Sequence, residues 1–520
     1  MKKFLKFIPL LVMPIALSSC TLLNAINNNN NNNNQQQTEK TVTFDISNSA
    51  LSMGFGSTAQ LSATLKEDRK GVDAEIKWTT SDASVAAISK TKTTTKGEAI
   101  TVTAGNSEGS AVITAKTADG KYTKTCNVSV KDVSGTTVMI YMCGSNLESD
   151  NYLATEDITE ILSVNGQPSD VNIVIQTGGA TKWKSTYGVS ASKSQRWEVR
   201  NKHLNKVSEK SKVDMSKEST LQDFVTWGLT NYTSEKYGLI LWNHGGAMSG
   251  CCFDDQFNEG RNGLLADNVY NAVKNARTAA GISSKLEWIT YDACLMAVQD
   301  IAEYNSYNFN YMLCSEESEA GYGYDYDAWL PSLYNNSGIS GKDLLPVIGH
   351  TFMVEEKALY QGWGEPFDQT QSVLDLSKIP AYKEAFESLA SSLYSATHDK
   401  NTKLSALNTA LQNAKQYGYD EDYGYTFGIY DVKSAMTKIN ANTNFSSLSS
   451  QINAVNSALN DLVIFEEHGE ATTGCGLCLY VPTPNFDVPY DYTGQYTGAH
   501  SNLTNWKKVA NDLFWYNYGD

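Results

Sequence analysis

Tyr237-Gly238-Leu239-Ile240-Leu241-Trp242-Asn243-His244-Gly245-Gly246 and Leu286-Glu287-Trp288-Ile289-Thr290-Tyr291-Asp292-Ala293-Cys294-Leu295-Met296 are two apolar runs of strand length, each ending on a reactive side chain. Uninterrupted apolar runs of this kind suit strands of a parallel sheet covered on both faces. In such sheets ligands bind beyond the carboxyl ends of the strands, which is where the imidazole and the thiol fall. The 50 residues from His244 to Cys294 are what one right-handed crossover and an extra loop consume, so both side chains are expected on one rim, on neighbouring strands.

Further runs extend the pattern on either side. Val138 to Met142 reads as a first strand, Thr155 to Val164 as a helix, and Val171 to Gln176 as a second strand. Trp197-Val199 and His203-Val207 suggest a hairpin insertion. Leu221 to Leu229 and Leu264 to Ala280 read as helices flanking the third strand, and Tyr311 to Cys314 as a fifth strand. The fold class expected from 136 onward is α/β, an α/β/α sandwich around a mostly parallel sheet.

Before it, Thr41 to about Lys131 alternates short β-rich runs with turn signals, which indicates an all-β sandwich. Trp78-Thr79-Thr80-Ser81-Asp82 and Gly109-Ser110-Ala111-Val112-Ile113-Thr114-Ala115 resemble bacterial Ig-like modules. Such a module is expected to be a spacer or an adhesive unit. The boundaries read as a signal peptide over 1–19, a polar linker over 20–40, the Ig-like module over 41–132 and the large domain over 136–520, with a C-terminal extension from about 379.

Lys2, Lys3 and Lys6 precede an apolar run, Phe7 to Leu17, too short to span a bilayer and interrupted by Pro9 and Pro14. It reads as an export signal. Leu17-Ser18-Ser19-Cys20 resembles the lipobox of bacterial lipoproteins, which implies lipidation at Cys20. Asn27 to Asn34 and Gln35 to Gln37 cannot bury apolar surface and read as a tether. The expected location is extracytoplasmic, held to a bacterial membrane by the N-terminal lipid.

With 520 residues, 41% of them hydrophobic, the chain carries apolar material for more than one core. Lys plus Arg number 41 against 57 Asp plus Glu, a formal charge of −16, which argues against nucleic acid as a partner. Nine cysteines are too sparse for a disulfide scaffold. Cys475 and Cys478 show no second ligand pair in the sequence, so a core strand is expected there rather than a metal site.

A thiol becomes an effective nucleophile beside an imidazole or at a helix N-terminus. Cys294 follows the strand at the start of an expected helix, Leu295 to Glu303, and His244 ends the neighbouring strand. The glycines after His244 allow close approach of backbone N–H groups, so those of Gly245 and Cys294 are expected to form an oxyanion hole. Taken singly, a lone His or a buried Cys is ordinarily structural. Their joint placement favours catalysis.

Thr137-Val138-Met139-Ile140-Tyr141-Met142-Cys143-Gly144-Ser145-Asn146-Leu147-Glu148, Trp242-Asn243-His244-Gly245-Gly246 and Asp292-Ala293-Cys294-Leu295-Met296 together resemble the clostripain-like cysteine peptidases, of the clan that includes caspases, legumains and gingipains. Ser315-Glu316-Glu317, Gly321-Tyr322-Gly323-Tyr324 and Ser372-Val373-Leu374-Asp375-Leu376-Ser377 extend the likeness to about residue 380. The resemblance implies a caspase-like fold, a catalytic dyad of His244 and Cys294 and polypeptide substrates; separately, no cofactor is expected. It also implies cleavage after Arg or Lys, which requires a carboxylate in the pocket. Asp292 is the first candidate, and Glu316, Glu317 and Glu319 are the others.

Related enzymes often cut themselves between the His and Cys strands. In the loop from Cys251 to Gly263 the basic residue is Arg261, the expected cut site. Asp254, Asp255 and Glu259 in the same loop offer carboxylates to Ca2+, but without EF-hand spacing. His203, His398, His468 and His500 read as exposed, and His350 as a packed helix residue. A monomer is expected. Two other readings share these residues: an adhesive surface lipoprotein with a retired peptidase fold, and a Cys-dependent acyltransferase in which an amine replaces water.

Overall fold

A computed structural model of the chain describes residues 41–518, apart from 69, 96–97, 132, 258–259, 261, 399, 421–424 and 483–501. Cys20, Arg261, Glu259 and His500 lie outside the described residues. Among the described residues no helix is long and apolar enough to cross a membrane.

The large domain is built on a nine-stranded sheet. Its centre is five parallel strands in spatial order second, first, third, fourth, fifth: Val171–Gly178, Thr136–Cys143, Lys236–Trp242, Leu286–Asp292 and Phe309–Cys314. The strand order reverses between the first and third strands, and a crevice at such a switch point is the usual ligand site of an open α/β sheet. Two antiparallel strands close each edge. Lys193–Arg200 and His203–Ser211 form the expected hairpin on one side, and Thr370–Asp375 and Val463–His468 lie on the other.

All eight residues of the first strand are buried. Val138, Ile140 and Met142 point into one apolar layer with the helices Leu153–Ser163, Tyr326–Asn335 and Gly341–Trp363, while Met139, Tyr141 and Cys143 point into the other, with Glu218–Asn231 and Ala266–Ala280. Each fully buried side chain of this size contributes roughly 1.5–3 kcal/mol. This two-sided burial removes the polar alternation that a one-sided strand shows in its sequence.

Residues 41–131 form the all-β unit, with Trp78, Ile113 and Val128 in its core. It abuts the large domain where Asn48 Nδ2 donates to the carbonyls of Thr278 and Ala279, each at 3.0 Å, satisfying the C-terminal end of the Ala266–Ala280 helix.

The C-terminal extension joins the large sheet and adds a second one. It supplies the edge strand Val463–His468 and a separate three-stranded sheet of Gln416–Asp420, Tyr425–Asp431 and Cys478–Tyr480. The Cys478 N–H donates to the Ala297 carbonyl at 2.7 Å, just behind the fourth strand. His350 lies on the Gly341–Trp363 helix but is exposed, with Nδ1 2.9 Å from Glu467 Oε2. The expectation of a packed residue fails because an edge strand ends beside it and offers it a carboxylate at the surface.

Candidate active site

The rim of the sheet is fixed first by Asn243, the residue after the third strand. Its Nδ2 donates to the Cys143 carbonyl at 2.6 Å and to Ser145 Oγ at 2.8 Å, and its Oδ1 accepts from the Phe253 N–H at 2.7 Å. One buried amide thereby ties together the ends of the first and third strands and the loop that follows. His244 comes next, with Nε2 2.7 Å from Asn146 Oδ1. An Nε2–H donated to that carbonyl leaves the neutral ring's lone pair on Nδ1.

Gly245 is needed at its position by a close approach. A Cβ there would stand 2.0 Å from the Cys294 carbonyl oxygen and 3.0 Å from the Cys294 nitrogen, so only a residue without one fits. The His loop and the Cys loop are therefore packed backbone to backbone. The Glu319 N–H donates to the Cys294 sulfur at 3.2 Å, and the N–H groups of Gly245 and of Cys294 itself also favour the thiolate. His244, Cys294, Asp292, Glu319 and Gly323 line one cleft of about 210 Å3.

The electrostatics differ from the sequence expectation. The helix after Cys294 begins only at Gln299, because Leu295 sits in the left-handed region at φ +64° and the chain from Met296 to Val298 is not helical. No helix N-terminus lowers the thiol. Burial and the Glu319 carboxylate push Cys294 up to about 12, although the three N–H groups oppose this. Burial brings His244 down to about 4. At neutral pH the resting pair is thus a thiol and a neutral imidazole, not an ion pair.

Asp292 lines the cleft, as its alternation with Cys294 along the chain implied. It is 5% exposed, accepts from the Tyr326 hydroxyl at 2.9 Å, and is pushed up to about 7 by burial. Behind it lies Asp157, from the Leu153–Ser163 helix, whose Oδ2 accepts from Trp242 Nε1 at 2.5 Å. Gly323 fits between the two acids at φ +78°. A Cβ there would lie 3.0 Å from one Asp292 oxygen and 3.2 Å from an Asp157 oxygen. Burial first, then the Asp292 charge, holds the Asp157 carboxyl well above its ordinary range, so the two acids cannot readily ionise together.

Of the three glutamates, Glu319 alone reaches this cleft, with its carboxylate on Gln371 Nε2 at 2.5 Å. Glu316 is buried on the far side of the loop against Cys475 and Gly476, and Glu317 accepts from the Ser318 and Gly418 N–H groups. Neither of these two lines the cleft. The loop turns at Ser315, whose hydroxyl contacts the Thr370 hydroxyl and donates to the Glu317 carbonyl, which directs both side chains toward the C-terminal extension.

Asn146 and Asp157 are the functional candidates that sequence reading missed. Asn146 stands in a stretch that was singled out, yet its partner lies 98 positions away. Asp157, within Glu156-Asp157 on a helix, looks like one of many surface acids, and only its burial distinguishes it.

The family model described as the clostripain family matches residues 140–512. Clostripain of Hathewaya histolytica is 24% identical over 316 residues, covering 54% of this chain and 59% of that protein. The chain therefore aligns with under two thirds of that curated relative's length. An inactive zymogen C11 protease from Parabacteroides distasonis shares the fold, with a TM-score of 0.50 at 18% identity over 74% of this chain and 98% of that one. A secreted C11 cysteine protease from Bacteroides thetaiotaomicron, solved with an irreversible peptide inhibitor, gives a TM-score of 0.49 at 15% identity over 72% and 99% of the two chains.

Proposed function

The chain belongs to the clostripain family; from that membership we propose that it is a cysteine endopeptidase cutting after Arg or Lys, and from its N-terminal sequence that it is exported and lipid-anchored through Cys20. The observation that carries this reading is that His244 and Cys294 open on one cleft, with the backbones of Gly245 and Cys294 packed against each other at its floor.

Cys294 Sγ attacks the scissile carbonyl carbon. As the S–C bond forms, the carbonyl π pair moves onto oxygen and the thiol proton passes to the His244 imidazole. The N–H groups of Gly245 and Cys294 receive the oxyanion. Collapse re-forms the carbonyl, breaks the C–N bond, and returns the proton to the departing amine. Water then hydrolyses the thioester with His244 as base. Asn146 holds the ring in the tautomer this sequence requires.

The neutral resting pair fits a mechanism in which charge develops only beside a bound substrate. Asp292, with Asp157 behind it, gives a basic P1 side chain a buried carboxylate partner; a guanidinium arriving there favours loss of the acid's proton. Self-processing after Arg261 belongs to the same preference. The β-rich module and the polar linker serve as a stalk between lipid and enzyme.

A peptide chloromethyl ketone ending in Arg tests the assignment. Mass spectrometry of the digested adduct is expected to find the label on Cys294, with the Asp-ending analogue unreactive. Label on another cysteine, or equal labelling by the two reagents, contradicts it.

A further inference from the structure

On the side of the Ser315–Glu319 loop away from the cleft, two buried carboxylates and the half-buried Cys475 thiol meet in one cluster, with the Cys478 thiol beside it at 3.8 Å from Glu316 Oε1. Glu316 follows the fifth strand and is 1% exposed; Asp431 ends the Tyr425–Asp431 strand and is 4% exposed. Cys475 and Cys478 bracket Cys475-Gly476-Leu477-Cys478, and Cys478 is fully buried. The second ligand pair that the cysteines lack in sequence is supplied by the fold from positions 44 and 159 residues before Cys475.

The hydrogen bonds leave one oxygen on each carboxylate facing the sulfurs. Glu316 Oε2 is committed to the N–H groups of Cys475 at 3.2 Å and Gly476 at 3.0 Å. Its Oε1 has both thiols at 3.8 Å. Asp431 Oδ1 caps the Val432–Ala441 helix through the Ser434 N–H at 2.5 Å, while Oδ2 has a long contact of 3.4 Å with the Tyr417 hydroxyl. Ligand atoms of Glu316, Asp431 and Cys475 all lie within 4.8 Å of one another. Oxygen and sulfur bound to one tetrahedral ion stand about 3.5 Å apart, given metal distances near 2.1 and 2.3 Å. Closing to that spacing, and drawing in Cys478, whose sulfur stands 3.8 Å from Glu316 Oε1, is the rearrangement the ion must drive.

Among the described residues, no Lys, Arg or His forms an ion pair with Glu316 or Asp431. Burying two carboxylates side by side without a counter-ion is costly. A divalent cation removes that cost, and thiolates combined with carboxylates in a four-donor set suit Zn2+ better than Ca2+ or Mg2+. We propose that Glu316, Asp431, Cys475 and Cys478 form a structural Zn2+ site that pins the C-terminal extension to the loop behind the catalytic cleft. Binding releases the two thiol protons as Zn–S bonds form. The loop so held carries the Glu319 N–H that meets Cys294.

The test uses the full chain carrying Cys294→Ala, so that the cleft thiol contributes no ligand, stripped of metal and titrated with Zn2+ or Co2+. One equivalent is expected to bind, with Co2+ giving thiolate charge-transfer absorption and the visible bands of a tetrahedral ion. Adding Cys475→Ser is expected to weaken binding by at least about tenfold and to diminish the charge-transfer band. Asp431→Asn keeps the helix cap but removes an anionic ligand, so it serves as a second variant should the serine substitution unfold the chain. No binding by the metal-free chain, or binding that both variants retain in full, overturns the proposal. So does a Cys475–Cys478 disulfide that survives mild reduction.

Discussion

Gly245 and Cys294 touch through their backbones: a methyl group on the glycine would lie 2.0 Å from the Cys294 carbonyl oxygen. The contact holds the residue after His244 against the residue that bears the thiol, and it keeps the Gly245 N–H close enough to favour the thiolate. Gly245→Ala must push the two loops apart. Losing one oxyanion donor costs roughly 100- to 1,000-fold in kcat, and a loss of that size is expected here with little change in KM. Steady-state kinetics on an Arg-P1 peptide would settle it; a variant with native kcat would detach the glycine from the chemistry.

Asn146 orients the His244 ring through one 2.7 Å contact. Asn146→Ala leaves the imidazole present but free to turn, so kcat should drop by roughly 10- to 100-fold, part of the 100- to 10,000-fold that a positioned acid–base group supplies. Asn146→Asp keeps an acceptor and should recover much of the loss. Equal defects in the two variants would mean that the amide serves the fold and not the ring.

The Asp292 carboxyl, raised to about 7 by burial, ties activity and stability to pH in opposite senses. Its charged form is the one that binds a basic P1 side chain, so kcat/KM for Arg substrates should rise as pH climbs through about 7. A carboxyl whose folded pKa is raised stabilises the fold below its unfolded pKa, and that contribution is lost as pH rises toward 7. Asp292→Asn should therefore lower Arg-P1 kcat/KM, flatten this limb and raise the unfolding free energy at pH 8 by at most about 4 kcal/mol, read as a higher Tm. Unchanged P1 selectivity in this variant would place the specificity pocket elsewhere.

A thiol pushed up to about 12 is a poor nucleophile toward reagents that do not occupy the site. Iodoacetamide should alkylate Cys294 slowly at pH 7, at a rate still climbing above pH 9, whereas an Arg-ending peptide electrophile should react fast. Rapid alkylation at pH 6 would reveal a thiolate–imidazolium pair in the resting protein and refute the neutral one.

The strands that carry His244 and Cys294 were legible because burial on both faces leaves long apolar runs, and their adjacency followed from the single crossover between them. Two features were not. The helix expected at Leu295 starts four residues later, since a left-handed Leu295 breaks the register where an apolar run suggested continuity. Glu316, Glu317 and Glu319 are chemically alike in sequence, yet the turn at Ser315 sends the first two away from the cleft. Long-range partners decided the remainder: Asn146 with His244, Asp157 behind Asp292, and Glu316 with two cysteines that follow it by about 160 residues.

The most direct measurement is turnover of fluorogenic peptides that differ only at P1, by the intact chain and by Cys294→Ala and His244→Ala. The account predicts hydrolysis after Arg and Lys but not after Asp or Asn, abolished by either substitution while the fold persists by circular dichroism. Hydrolysis that survives Cys294→Ala would contradict it.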